Sequence, residues 1–194
     1  LGSVALEADR NLLEQCRALN AIGVLAKVDQ DPELLARRDE LAGKIARQLP
    51  NNLNTVVPVS AGIRRALDRL LQSDAAGLAR LMTLVRSIEP SMLEHVLAFI
   101  DLYRDPDLPC AVPLEEREAL LGDMPWTVFT TITHTLADPA VDLEAAPNEL
   151  AALAGFDRLK DVLERRFLRR GHYLRGHRIL DDARKIVEEV KYTY

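Results

Sequence analysis

Apolar residues in this chain follow two different rhythms. Near the N-terminus stand two unbroken apolar runs, Ala21-Ile22-Gly23-Val24-Leu25-Ala26 and Thr55-Val56-Val57-Pro58-Val59. Their length and β-branched content predict buried parallel strands. Each run ends in a polar signature, Lys27-Val28-Asp29 after the first and Ser60-Ala61 after the second. Between them Asp31-Pro32 opens a helix that reaches about Leu49, with Pro32 suited to its first turn, and Pro50-Asn51-Asn52 breaks the pattern. A crossover of this size is what two parallel strands require. Ahead of the first run, Ala5 to Asn20 reads as a helix with Leu6, Leu12, Leu13, Cys16 and Leu19 on one stripe. The order α-β-α-β is that of the closing portion of a doubly wound unit.

Beyond Ala61 the period becomes helical throughout. Ile63 to Leu71 is short. Asp74 can cap a helix to Ile88, with Leu78, Leu81, Met82 and Val85 on one face. Pro90 begins another, expected to bury Met92, Leu93, Val96, Leu97 and Ile100. Asp105 to Pro113 holds three prolines and reads as a stiff linker. Helices follow over Leu114 to Leu121 and Trp126 to Leu136. Ala137 to Pro147 is a second linker, after which Asn148 can cap a helix to Leu153 and Gly155 allows a sharp turn. The longest pattern runs from Phe156 to Val190, where Leu159, Leu163, Phe167, Leu174, Leu180, Val187 and Val190 stand near heptad spacing. Gly171 and Gly176 each weaken it by about 1 kcal/mol if interior.

The pattern therefore predicts a mainly α protein with a small α/β part, divided as residues 4–72 and 73–194. At 194 residues one substantial core or two small ones can form. Gly2-Ser3 reads as a cloning remnant, and Leu1 to Ser3 are left out of the fold reading. No signal peptide or membrane-length apolar stretch is visible, and the two cysteines, Cys16 and Cys110, are far apart. Both features fit a cytoplasmic protein with reduced thiols. A net charge of −5 argues against a general nucleic-acid binder.

Ligand groups in doubly wound sheets sit just past the carboxyl ends of the strands, which is where both polar signatures fall. A carboxylate at Asp29 can accept two adjacent N–H donors, as on the Watson–Crick edge of guanine, through strong charge-assisted bonds. Lys27 has an aliphatic stem that can lie along a flat base while its ammonium stays wet. The backbone N–H of Ala61 can donate to the guanine carbonyl, with Ser60 holding the loop through its hydroxyl. Lys-x-Asp or Ser-Ala alone is a common loop sequence; their joint placement after two strands is the informative feature.

These two loops resemble the base-recognition motifs of P-loop GTPases, Asn/Thr-Lys-x-Asp followed by Ser-Ala. Ala26-Lys27-Val28-Asp29 and Ser60-Ala61 match, except that Ala26 replaces the amide or hydroxyl tying the first loop to the phosphate loop. The helical part is similar to bacterial dynamin-like GTPases, especially a group found in actinobacteria. The matching pieces are Val112-Pro113-Leu114, Leu120-Leu121-Gly122, Leu150 to Leu159 and Phe167-Leu168-Arg169-Arg170. The resemblance implies GTP or GDP as ligand, contacted by Lys27, Asp29, Ser60 and Ala61, and two parallel strands of a truncated GTPase-type sheet. It also implies an N-terminal GTPase half as partner, magnesium held by residues outside this chain, and self-assembly through the C-terminal helix.

Phosphoryl transfer needs parts that the chain lacks. No Gly-x-x-x-x-Gly-Lys-Ser/Thr occurs, and no Asp-x-x-Gly loop follows a strand. The chain by itself is therefore not expected to hydrolyse GTP, and it reads as a GTPase entered midway. No tight Cys/His cluster suggests zinc and no Gly-x-Ser-x-Gly elbow suggests a hydrolase. Arg165, Arg166, Arg169, Arg170, Arg175 and Arg178, with His172 and His177, form a dense basic cluster. Its ordinary reading is a solvated face paired with Asp157, Asp161, Glu164, Asp181 and Asp182; contact with an anionic membrane surface is the weaker one. Trp126 reads as a core anchor, and His95 and His134 show no catalytic partner. The rival to the GTPase reading is a non-enzymatic helical interaction or oligomerisation module in which Lys27 and Asp29 are structural.

Overall fold

The computed structural model describes residues 21–51, 53–72, 76–168, 176 and 179–184. Among them the protein is mainly helical with one small two-stranded sheet. Strand β1 (Gly23–Leu25) pairs in parallel with β2 (Val56–Pro58), in the register Gly23 to Val56, Val24 to Val57 and Leu25 to Pro58. Both strands are shorter than their apolar runs. β2 is buried along its whole length, whereas Val24 in β1 is 50% exposed.

Two helices make the crossover. α1 (Pro32–Ala36) starts at Asp31, whose Oδ1 accepts the Glu33 amide at 2.8 Å, with Pro32 in the first turn. α2 (Arg38–Gln48) follows after a break at Arg37, where one helix to Leu49 was expected. The guanidinium of Arg37 reaches forward to Glu40, with two N–O distances of 3.0 Å. A small cluster of Ala42, Leu49, Leu53 and Val56 packs α2 onto β2.

Most other buried apolar side chains among the described residues share one core. α3 (Ala61–Leu70) contributes Ile63, Ala66, Leu67 and Leu70, an i, i+3, i+4, i+7 stripe. These pack with Leu78, Leu81, Met82, Leu84 and Val85 of α4 (Ala76–Ser87), so the core crosses residue 72 without interruption. α5 (Pro90–Ala98) buries Leu93, Val96 and Leu97 but leaves Met92 40% exposed, and Ile100 belongs to the next helix, α6 (Ile100–Tyr103). The expected burial of Met92 fails because it faces away from the side of α5 that carries the other three.

After the proline-rich segment come α7 (Leu114–Leu121) and α8 (Trp126–Ala137). Trp126 stacks on Phe129, with ring centroids 5.3 Å apart, and meets Tyr103 at 5.4 Å. α9 (Ala146–Ala154) begins before Asn148, because Pro147 fits its first turn and the linker ends at Ala145. Gly155 ends it in the left-handed region at φ 77°, and α10 (Phe156–Leu163) continues through a wider π-type turn over 164–168. Leu159 is half-buried and Leu163 is 42% exposed, so the start of the expected apolar seam is only partly covered.

Arg165 pairs with Asp161 at 2.8 Å, as a solvated face would. The helix at 5–20, Cys16, the cap at Asp74, and Phe167, Leu174, Val187, Val190, Arg169, Arg170, Arg175, Arg178, His172 and His177 lie outside what is described of backbone or side chain. Cys110 is a free thiol, half-buried, its Sγ 3.1 Å from the Val112 carbonyl. No helix among the described residues is long and apolar enough to cross a membrane.

Candidate functional site

The two polar signatures meet at the carboxyl end of the sheet. The last rung is the Val59 amide donating to the Leu25 carbonyl at 2.9 Å, after which each chain leaves its strand into a loop. In the first loop Lys27 takes φ 59° and ψ 31°, a left-handed conformation costly for a side chain other than glycine. It starts a single 3-10 turn, Val28–Gln30, closed by the Gln30 amide on the Lys27 carbonyl at 3.3 Å. Val28 is 1% exposed and plants this turn in the main core. That anchor leaves Lys27 on the surface and turns Asp29 inward to a half-buried position.

The second loop is the start of α3. Ser60 is fully buried, and its Oγ accepts the Ile63 amide at 3.0 Å as an N-cap. Its own amide donates to the Ala154 carbonyl at 3.0 Å. Ala61 is exposed at the first helical position, where its N–H has no partner within the helix.

Asp29 lies against this helix terminus. A Cβ built on Gly62 would overlap Oδ2 of Asp29 and stand 2.9 Å from Cγ2 of Val128. Only a glycine at that position lets the carboxylate rest on the first turn of α3, where the helix dipole favours negative charge. Val128, from α8, closes the same spot from the helical side. So Asp29, Ser60 and Ala61 are brought together, while the Lys27 side chain flanks them without a hydrogen bond or ion pair to another described residue.

The Ser60 loop is braced from behind by α9. A side chain on Gly155 would overlap the Pro58 carbonyl, the last residue of β2. Three contributors to this geometry, Gly62, Val128 and Ala154, escape a reading by motif. A faint signal does exist for one of them: glycine in the first turn of a helix is a poor helix former and marks a close approach.

Chemically, the site offers a half-buried carboxylate acceptor beside unpaired first-turn N–H donors, with a lysine at its edge. That set complements a planar group with two adjacent N–H donors next to a carbonyl. No cluster of three or more His, Cys, Asp or Glu able to hold a metal occurs among the described residues. His134 Nδ1 stands 3.5 Å from Glu94 Oε1 and His95 Nδ1 2.8 Å from the Ser91 carbonyl. No protein-family model, curated protein or solved structure matches this chain.

Proposed function

We propose that this chain supplies the guanine-recognising half of a GTPase-like nucleotide site, of the dynamin-like kind, together with a helical region that carries nucleotide state to a partner or to self-assembly. The observation that supports it is the meeting of Asp29 with the first turn of α3 over Gly62. Asp29 would accept the two donors of the base edge, Ala61 N–H would donate to its carbonyl, and Lys27 would cover its face. Phosphate and magnesium would be held by residues outside this sequence, which contains no phosphate-binding loop.

Titration calorimetry with GDP, GTP and ATP on the protein containing this chain tests the reading. Guanine nucleotides bind in preference to ATP, and Asp29→Asn weakens them by about 1–3 kcal/mol, the scale of one charged hydrogen bond. Guanine affinity unchanged by Asp29→Asn sinks the assignment.

A second reading draws on the same carboxylate. Negative charge at the first turn of α3 stabilises that helix by about 0.3–1 kcal/mol without any ligand. Asp29 would then be structural in a non-enzymatic helical interaction module. That module loses self-association when residues 156–194 are removed, and it shows no nucleotide effect with or without them.

A further inference from the structure

The helical region carries a surface that the nucleotide reading does not use. α5, α6 and the turn after them enclose an open groove of about 410 Å³. Its floor includes Met92, Leu102 and Leu108, and Met92 and Leu102 are 40% and 41% exposed. Phe99, which joins α5 to α6, is 64% exposed. Large apolar side chains left this open within eleven residues of chain are a surface held for a partner rather than scattered exposure.

The charge around the groove says what kind of partner. Glu89, Asp105 and Asp107 line it, and no lysine or arginine does among the described residues. Hydrogen bonds from the Ser91 hydroxyl and amide hold the Glu89 carboxyl below its usual range, so it stays ionised. His95, which also lines the groove, has Nδ1 turned to the Ser91 carbonyl of its own helix. The volume suits one or two apolar side chains rather than a whole helix. We infer that this groove docks a basic amphipathic helix of a partner protein, which inserts an apolar anchor between α5 and α6 and sets Lys or Arg against Glu89, Asp105 and Asp107. Apolar anchors give such a surface its residence time, and the acidic rim gives it association rate and salt dependence.

The test uses a fluorescent synthetic helix with leucines on one face and lysines on the other, titrated by anisotropy against the full chain. It binds, and raising the salt weakens it, because the rim charges are exposed and screened. The double variant Met92→Lys with Leu102→Lys removes the anchor site at exposed positions that the fold tolerates, and lowers affinity by about tenfold or more. Asp107→Lys, also exposed, lowers affinity and flattens the salt dependence. The same helix with its lysines replaced by glutamates does not bind. Failure of the lysine helix to bind, equal binding of the glutamate helix, or affinity indifferent to both variants overturns the proposal. So does a result in which the variants abolish only self-association of the chain, since the groove would then belong to a second copy.

Discussion

The amide of Ser60 donates to the carbonyl of Ala154 at 3.0 Å, which binds the loop after β2 to the last turn of α9, nearly a hundred residues away in sequence. One residue further on, Gly155 presses its backbone against the Pro58 carbonyl. The candidate site is thus braced by the helical region as well as by the sheet.

Gly155→Ala breaks that brace. The position is left-handed at φ 77°, and the new methyl group would overlap main chain rather than a side chain able to swing away. A loss of about 2–3 kcal/mol in unfolding free energy is expected, read from urea denaturation. A variant as stable as the parent would mean that α9 does not hold the Ser60 loop.

Gly62→Ala tests the contact with Asp29 directly. The alanine is a better helix former, but its methyl group displaces the carboxylate and crowds Val128 at 2.9 Å. The single variant should lose about 1–2 kcal/mol. In an Asp29→Ala background the loss shrinks, with a coupling of about 1 kcal/mol in the double-mutant cycle. Strict additivity would show that the two residues do not touch in solution.

Arg117 is 1% exposed, and its guanidinium faces no carboxylate within salt-bridge reach among the described residues. Instead it donates to the carbonyls of Tyr103 and, at 2.8 Å, Asp105, fixing the turn that follows α6. Arg117→Met keeps most of the volume and leaves those carbonyls without their donor. The expected cost is about 2–4 kcal/mol, from two unsatisfied acceptors. Nε has no partner among the described residues, so its loss costs no hydrogen bond. A midpoint of urea unfolding that does not move would place the guanidinium in solvent.

Tyr103 gives the fold a pH dependence at the alkaline end. Burial pushes its phenol above the ordinary value of 10.0, with Arg117 opposing in part. The unfolded phenol therefore loses its proton first as pH rises. The contribution is complete below pH 10.0 and is lost as pH climbs above it toward the raised folded value, at about 1.4 kcal/mol per pH unit. Tyr103→Phe removes this component of the alkaline slope; equal slopes in the two proteins would contradict burial of the phenol. It also removes the bond from the hydroxyl to the Arg117 carbonyl at 2.6 Å, worth about 1 kcal/mol at neutral pH.

Much of the architecture follows from sequence alone. The apolar runs at 21–26 and 55–59, the crossover opened by Asp31-Pro32, and the helices over Leu114–Leu121 and from Trp126 are local patterns of period and capping. The position of Lys27, Asp29, Ser60 and Ala61 just past the two strands is legible too, because a strand end is a property of the strand. The tertiary structure decided what those residues touch. Gly62 and Val128 define the space around Asp29, yet neither belongs to a motif, since contact between a loop and a helix depends on how elements cross. Arg117 is buried because the Tyr103 and Asp105 carbonyls turn toward it, which no hydropathy pattern encodes. Met92 is exposed although its period matches the core, because helix packing covers only one stripe and the neighbours choose which. Local sequence determined the elements and their ends; the crossings between them, set by main-chain contacts such as Gly155 on Pro58, decided which groups were brought together.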